Sequence, residues 1–306
     1  MKKVYYSLTG RGLYSELLNL VLAIIYCEKN NLELIINSYF WNSRIDKGWE
    51  DYFSPTIKYT NNLTSAQIYF KGFNHKLSLR GIYRNPIKSM IHILQCGLNY
   101  LYQIRTKNLL SHNIVDLMRD KDFIDSIKSI ETWQILFHKK ISDIYIYNDK
   151  MKNEINTFKN KIGIQEIKYI GVHIRRGDKI KSKEMNNIEL EKYIKAIEMK
   201  KHISKNIYIA TDDYSIINEI RILLSPDYKL YYNIDQKTLG FDENKFNMIK
   251  KRQRTLDTKL ALIDVDILLN SSFFIGTYSS NLSRIIPCFK GLKDCESIDI
   301  QWSPVF

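Results

Sequence analysis

Residues 171–179 read GVHIRRGDK, and this stretch decides the fold prediction for the whole chain. Residues 168–174 (KYIGVHI) are apolar and β-branched enough to form a buried strand. Ligands of open α/β sheets bind beyond the carboxyl ends of the strands, and the planar fork of arginine suits bidentate contacts to phosphate oxygens. The stretch therefore predicts a phosphate-bearing ligand, with an ion pair in a surface turn as the alternative. The residues that follow the strand are Arg175, Arg176, Gly177, Asp178 and Lys179.

Side chains alternate along a strand, which separates the two arginines. His173 and Arg175 are predicted to share one face of the strand, and Arg176 to take the other.

Polar groups follow two later strands as well. Residues 207–210 (IYIA) lead into Thr211, Asp212 and Asp213, and residues 273–276 lead into TYSS at 277–280. Helices are predicted after both groups, at 215–224 and 281–289. In a doubly wound sheet such strand exits meet at one edge, and the start of a helix favours a phosphate. The three exits together predict one anion-binding site.

The amino-terminal half opens with a βαβ pattern: a strand at 3–8, a helix at 14–30 and a strand at 32–37. Gly10 and Gly12 lie in the first turn, where they would let the backbone approach a ligand or simply end the strand. The composition shift after a polar helical stretch predicts two α/β domains, residues 1–165 and 166–306.

A helix is predicted to begin at Pro86, with apolar residues at helical spacing. We expect this apolar face to pack in the core. Lys88, Arg105 and Lys107 flank it, so contact with an anionic membrane or a lipid-linked acceptor is the alternative. The apolar positions are Ile87, Met90, Ile91, Leu94, Leu98, Leu101 and Ile104.

A polar segment at 235–254 contains Gly240 and a basic cluster at its end. It is interpreted as a mobile flap or as a solvated loop.

Composition limits the classes of function. With 44% hydrophobic and 26% charged residues the chain is predicted to be a soluble globular protein. The net charge of +13 favours anionic partners: a nucleotide sugar, a nucleic acid or a membrane surface. The four scattered cysteines indicate reduced thiols and hence a cytoplasmic protein. The longest apolar run, 17–27, is too short for a bilayer crossing.

Three motifs in this order resemble those of the α1,6-fucosyltransferase family: HIRRGDK (173–179), YIATDDYSIINEI (208–220) and LIDVDILLNSSFFIGTYSSNLSR (262–284). The likeness extends to the GRG turn at 10–12, LELIINSYFW and GWEDYFSP. The resemblance implies a GT-B-like fold of two Rossmann-like α/β domains, with the donor site in the carboxyl-terminal domain facing the interdomain cleft. The amino-terminal domain would hold the acceptor. It also implies inverting transfer of L-fucose from GDP-fucose to a glycan hydroxyl, with no metal or other cofactor.

By position in the motifs, the resemblance implies that Arg175 binds the β-phosphate and stabilises the leaving GDP. His173 and Asp264 would contact guanine, while Asp212 and Asp213 would organise the donor site. The remaining donor residues implied are Arg176, Gly10 and Gly12, and the pyrophosphate would be held by Ser280 with Ser279 and Asn281.

Two positions depart from the family pattern. Gly177 replaces a threonine, and the family glutamate that activates the acceptor hydroxyl falls on Lys183, one residue before Glu184. Glu184 is therefore taken as the general base, with an ordinary loop carboxylate as the alternative, and Asp178 and Lys179 as catalytic-motif residues with structural or relay roles.

Asp264-Val265-Asp266 is not interpreted as a metal-binding motif, because residues two apart on a helix point in different directions. Another GDP-linked deoxyhexose or a heptose would satisfy the same donor residues. A nucleic-acid-binding protein is disfavoured, because Asp212 and Asp213 would repel a phosphate backbone. A non-catalytic glycan-binding protein is the remaining alternative.

Overall fold

The computed structural model describes residues 1–67, 86–177, 188–235 and 240–305. The chain divides into two compact α/β units, Met1–Asn148 and Asp149–Pro304. The helix at 149–162, which precedes the sequence-based boundary near 165, groups with the second unit. Its side chains bind that unit: Lys159 pairs with Asp266, and Lys259 donates to Glu154 at 2.6 Å.

The first unit is built on a four-stranded parallel sheet with the order β3-β2-β1-β4. Val4 in β1 pairs with Leu34 on one side and Leu109 on the other, so β1 is one of the two inner strands of this sheet, together with β2. The strands are β1 (Lys2–Ser7), β2 (Leu32–Asn37), β3 (Tyr59–Thr60) and β4 (Leu109–Leu110). The helices are α1 (Leu13–Lys29), α2 (Pro86–Thr106), α3 (Lys121–Asp125) and α4 (Ile130–Ile144).

The predicted opening βαβ unit is confirmed. α1 is apolar on nearly all sides and packs between the sheet and α4. A second apolar centre forms around the GWEDYF stretch. Trp49, Tyr52 and Phe53 are completely buried there, and their rings form a network of stacked and edge-on contacts with Trp41.

The prediction that the apolar face of α2 packs in the core is wrong. Ile87, Leu94 and Leu101 are 71%, 61% and 64% exposed, whereas Gln95 and Asn99 are buried. The physical reason is that the amide side chains bond to backbone carbonyls beside the sheet, which turns the polar face inward.

The second unit contains a five-stranded parallel sheet with the order β7-β6-β5-β8-β9. The strands are β5 (Ile170–Ile174), β6 (Asn206–Thr211), β7 (Lys229–Tyr232), β8 (Phe273–Gly276) and β9 (Cys295–Ser297). The helices are α5 (Asp149–Ile162), α6 (Leu190–Met199), α7 (Ile216–Leu223), α8 (Glu243–Met248), α9 (Lys251–Leu269) and α10 (Asn281–Lys290).

β5 lies at the centre of this sheet and is buried along its whole length. Val172 pairs with Ile209 of β6 and with Ile275 of β8. The order of the strands reverses at β5, so the crevice beyond the carboxyl ends of β5 and β8 is the expected ligand position in a sheet of this kind.

The polar segment at 235–254 is more ordered than the loop predicted from sequence. Within its described part, residues 240–254, it contains α8 and the first turn of α9. Arg254 donates to the carbonyl of Ile249 at 2.8 Å, which ties the two helices together.

None of the helices in the described ranges combines the length and apolar composition that a membrane crossing needs.

Candidate active site

Arg175 is held in a fixed orientation just past the end of β5. Its Nη1 lies 3.2 Å from Oδ2 of Asp212, and its guanidinium stands over the ring of Phe241, 5.2 Å from the ring centroid. Both members of the ion pair are largely buried, with side chains 16% and 9% exposed. A planar cation fixed by a carboxylate and an aromatic face is preorganised for an anionic group.

Asp212 joins the ends of two strands to the segment at 240–241. Its Oδ1 accepts from the backbone N–H of Arg176 at 2.7 Å, and its Oδ2 accepts from the N–H of Phe241 at 3.1 Å. Its carbonyl accepts from the N–H of Gly240 at 2.7 Å. The Asp212 carboxylate therefore sets both the turn after β5 and the position of the ring beneath Arg175.

Gly177 occupies a position with no room for a side chain. A Cβ there would lie 2.3 Å from the carbonyl oxygen of Phe241 and 2.4 Å from Oδ2 of Asp212. Gly240, on the opposing segment, has a φ of +94° and approaches the Cα of Gly177. The packing therefore explains why glycine stands here in place of the family threonine: the Phe241 backbone fills the space that a side chain would need.

His173 is buried in β5 and contacts α10. Its Nδ1 lies 2.6 Å from Oγ of Ser283, and this hydroxyl also accepts from the backbone N–H of Thr277 at 3.3 Å. Burial, and then the charge of Arg175, lowers the pKa of His173 to about 3. The imidazole is neutral near pH 7 and ties β5 to the start of α10.

Asp264 of α9 contacts two buried polar side chains, Tyr208 on β6 and Asn233 just after β7. Its Oδ1 accepts from Oη of Tyr208 at 2.6 Å and from Nδ2 of Asn233 at 3.1 Å. Its Oδ2 accepts no hydrogen bond from the described part of the chain. Burial raises the pKa of Asp264 to about 7, against the lowering effect of the two hydrogen bonds. A carboxyl in this state changes charge near neutral pH.

The two aspartates of the DVD motif point apart, as the helical spacing predicts. Asp266 pairs with Lys159 of α5, whereas Asp264 faces Tyr208. Within the described residues no group of three or more His, Cys, Asp or Glu side chains is placed to hold a metal ion.

Asp213 does not share the surroundings of Asp212. Its Oδ1 accepts from the N–H and the Oγ of Ser215, at 3.0 and 2.6 Å. These bonds fix the turn that leads into α7. The structure thus gives the adjacent aspartates different contacts, with Asp212 alone beside Arg175.

The third strand exit contains a carboxylate that sequence reasoning did not find. Asp299 accepts from the N–H of Tyr278 at 2.8 Å and of Ser279 at 3.3 Å, and from the hydroxyl of Ser279. Ser280 begins α10, and its side chain makes no capping bond among the described residues. The Oδ1 of Asn281 accepts from Arg284 at 2.6 Å. The backbone N–H groups of Tyr278 and Ser279 are therefore already occupied by Asp299. The side chain of Ser280 is the remaining candidate in this turn for a hydrogen bond to a ligand.

Gly10 and Gly12 lie in the first unit, in the turn between β1 and α1. Arg11, between them, lines a pocket of about 380 Å³ together with Glu16 and the inward face of α2. Most of the lining residues have polar side chains: Ser7, Thr9, Arg11, Glu16, Gln67, His92, Gln95, Asn99, Gln103, Ser111 and His112.

Three predicted catalytic residues, Asp178, Lys179 and Glu184, lie outside the described residues. Of the other predicted residues, the structure brings Arg175 and Asp212 into contact and places His173 within the electrostatic influence of Arg175.

Besides Asp299, sequence reasoning missed four contacts of this site: Phe241, Tyr208, Asn233 and Ser283. Asn233 follows β7 directly, so the strand-exit rule that identified Asp212 would have found it. Phe241 had no local signal, because only the folded chain brings residue 241 over Arg175.

The model for the α-(1,6)-fucosyltransferase N- and catalytic domains matches residues 121–287. No curated protein matches the chain. Among solved structures, the Bradyrhizobium α-1,6-fucosyltransferase NodZ co-crystallized with GDP is 15% identical, with 93% of this chain and 91% of that chain covered and a TM-score of 0.51. POFUT1 in complex with GDP-fucose is 9% identical, with 99% and 98% covered and a TM-score of 0.55. A mutant of Arabidopsis thaliana FUT1 in complex with GDP is 10% identical, with 99% of this chain and 70% of that chain covered and a TM-score of 0.55.

Two parallel-sheet units and this structural likeness show the GT-B fold. The family model covers more than half of the chain, and the resemblance seen in its motifs is confirmed. The chain belongs to the α1,6-fucosyltransferase family.

Proposed function

We propose that this enzyme transfers L-fucose from GDP-fucose to a glycan hydroxyl, with inversion at the anomeric carbon and without a metal. The observation that carries the proposal is the preorganised Arg175–Asp212–Phe241 contact at the central strand exit. The solved neighbours include NodZ soaked with GDP-fucose and POFUT1 in complex with GDP-fucose, which supports the choice of donor.

In the proposed reaction the acceptor oxygen attacks the anomeric carbon of fucose. The bond from that carbon to the β-phosphate oxygen breaks, and its electron pair leaves with GDP. Arg175 stabilises the charge that develops on the diphosphate, and the Asp212 carboxylate and the Phe241 ring keep its guanidinium in place. Ser280 contributes a hydroxyl to the pyrophosphate, with Ser279 and Asn281 shaping the turn beside it, while Arg176 and Asp213 complete the donor side.

Base recognition is assigned to Asp264, and His173 is assigned as a second, neutral guanine contact. A guanine edge presents N–H donors, and Oδ2 of Asp264 accepts none within the described chain. Tyr208 and Asn233 hold the carboxylate through its other oxygen. Asp264→Ala is therefore expected to weaken GDP binding more than UDP binding.

Glu184 is assigned as the general base that removes the proton of the acceptor hydroxyl, because it is the carboxylate nearest in sequence to the family base position. Asp178 and Lys179 are assigned supporting roles. Glu184→Gln is expected to lower kcat by about 10²–10⁴-fold and to leave GDP affinity unchanged. Glu191→Gln, on the following helix, is the control. Equal kcat values for wild type and Glu184→Gln would exclude this base.

The acceptor is assigned to the first unit, residues 1–165 in the sequence-based division. The support for this assignment is the pocket next to Gly10 and Gly12. The amide, imidazole and hydroxyl groups in its lining suit sugar hydroxyls. Arg11→Gln is expected to raise KM for the acceptor and leave GDP affinity unchanged. A cytoplasmic location is proposed with it, since none of the four cysteines forms a disulfide bond.

The first test is titration calorimetry with GDP, UDP and GDP-fucose in EDTA, followed by GDP release in the presence of candidate glycans. GDP and GDP-fucose are expected to bind without metal, and UDP to bind more weakly. Binding of no nucleotide, or binding only when a divalent metal is added, would contradict the proposal. NMR of the product's anomeric configuration tests inversion, and competing GDP-linked hexoses test the sugar.

Arg175→Lys tests the leaving-group role, since it keeps a positive charge beside Asp212 and removes the planar fork. We expect a fall in kcat of about 10²–10³-fold with a normal unfolding transition. Arg221→Lys, on the exposed side of α7, is the matched control. Wild-type turnover by Arg175→Lys would refute the assignment.

A further inference from the structure

α2 turns a continuous apolar face away from the first unit. Five of its apolar side chains are each between 59 and 71% exposed. They are Ile87, Met90, Leu94, Leu101 and Ile104. Exposed apolar patches of this extent on a folded domain mark an interaction surface.

Hydrogen bonds fix this orientation of the helix. Gln95 donates to the carbonyls of Leu63 and Ala66 at 3.0 and 2.8 Å, and Asn99 donates to those of Thr64 and Ala66 at 2.9 Å each. Turning α2 to bury its apolar face would break four bonds and leave buried amides unpaired. The outward apolar face is therefore a stable feature of the fold.

The sequence that contains α2 carries charge of one sign. Residues 52–115 contain eight Lys or Arg and no Asp or Glu, so this stretch supplies eight of the thirteen net positive charges of the chain. Three of these cations are exposed and stand at the ends of α2: Lys88 in its first turn, and Arg105 and Lys107 at its end. An apolar helix face with basic ends is complementary to an anionic lipid surface.

We propose that α2 docks the protein on an anionic lipid bilayer. The helix lies in the plane of the membrane, because its polar face is bonded to the protein and only its outer face meets lipid. Ile87, Leu94 and Leu101 enter the boundary between headgroups and acyl chains, and Lys88, Arg105 and Lys107 lie at the level of the lipid phosphates. The same helix lines the pocket of the first unit with its inner face, so docking would bring that pocket close to the membrane.

A second copy of the chain is the other occupant of such a face, and the charge disfavours it. In a symmetric dimer the same surface meets itself. The basic ends of α2 would then face the basic ends of its partner, with no acidic residue anywhere in residues 52–115 to compensate.

Vesicle co-sedimentation tests the proposal. The wild-type protein is expected to bind phosphatidylcholine vesicles that contain phosphatidylglycerol, to bind pure phosphatidylcholine vesicles far less, and to lose binding as salt is raised. The triple variant Ile87→Gln, Leu94→Gln, Leu101→Gln is expected to bind at least about tenfold more weakly, because three apolar side chains no longer enter the lipid. Each of Lys88→Gln, Arg105→Gln and Lys107→Gln is expected to cost about fivefold.

The matched control replaces three equally exposed apolar residues elsewhere, Ile135→Gln, Met199→Gln and Ile222→Gln, which are 63%, 63% and 83% exposed. Circular dichroism establishes that both triple variants keep the wild-type helix content. Retained vesicle binding by the α2 variant, equal loss in the control, or no binding by the wild type would overturn the proposal. A wild-type dimer that the α2 variant makes monomeric, with no vesicle binding, would also overturn it and identify the face as a contact between copies.

Discussion

Acidification is expected to weaken GDP binding through a single buried carboxyl, Asp264. Only in the ionised form can both oxygens of the Asp264 carboxylate accept hydrogen bonds, and guanine presents N–H donors. The pKa of Asp264 is about 7 because of burial. About nine-tenths of this group is ionised at pH 8 and about one-tenth at pH 6. The dissociation constant for GDP is therefore expected to be about tenfold larger at pH 6 than at pH 8, or about 1.4 kcal/mol.

The sign follows from linkage. GDP binds the ionised form, so binding lowers the pKa of Asp264 and releases its proton at pH 6, where the unliganded group is mostly protonated. Calorimetry in two buffers of different ionisation enthalpy measures that release. The diphosphate itself titrates in this range, near a pKa of about 6, and UDP shares this property. The quantity to follow is therefore the ratio of the UDP and GDP dissociation constants.

Asp264→Asn provides the control variant, because the amide keeps the shape and cannot ionise. It is expected to bind GDP weakly and to show no change in the ratio between pH 6 and pH 8. A wild-type ratio that is constant over this range would refute the assignment of Asp264 to the base. So would a pH-dependent ratio that persists in Asp264→Asn.

Three further predictions concern the stability of the fold. Gly177→Ala is expected to lower the free energy of unfolding by about 1–3 kcal/mol, because the added Cβ would overlap the Phe241 backbone. In the control Gly97→Ala, in α2, nothing lies within 4 Å of the added Cβ, so the free energy of unfolding should stay unchanged or rise by up to about 1 kcal/mol. Urea unfolding measures both variants, and equal stabilities would contradict the packing argument. The pKa of His173 is about 3 in the folded state and about 6.5 in the unfolded state, so its contribution to stability is present above pH 6.5 and is lost as pH falls, by about 2 kcal/mol at pH 5. His173→Gln should remove this part of the acid sensitivity. If the free energy of unfolding of the variant changes between pH 7 and pH 5 as much as that of the wild type, His173 is not the source. The folded pKa of Asp264 is raised instead, so the contribution of this group to stability is lost as pH rises from about 4 to about 7, by about 4 kcal/mol. Asp264→Asn should therefore be more stable than wild type at pH 8 in thermal unfolding without nucleotide. A lower stability of the variant would contradict the raised pKa.

The strand exits were predictable from sequence because a buried parallel strand has a local signature. Runs such as KYIGVHI and IYIA are apolar and β-branched, and the polar residues after them stand at the carboxyl edge of the sheet. This rule located Arg175 and Asp212, and the structure brings them into contact. The rule applied equally to Asn233, which was overlooked although it follows β7.

Asp213 and Ser279 show where the same rule stops. Being at a strand exit does not decide whether a polar group faces a ligand or the protein. Asp213 bonds to Ser215, and the hydroxyl and N–H of Ser279 are taken by Asp299, 20 residues further along the chain. Contacts of that range depend on how loops pack, which no local pattern specifies.

The sequence by itself determined the α/β class, the two halves of the chain and the motifs that identify the family, because strands, helices and motifs are properties of neighbouring residues. It also determined that α2 has an apolar face, because helical spacing fixes which side chains lie together. Only the tertiary structure decided that this face points outward, that Phe241 lies beneath Arg175 and that Gly177 cannot carry a side chain. Each of these three depends on what a residue meets across the fold, and that is settled by packing and by the pairing of buried polar groups.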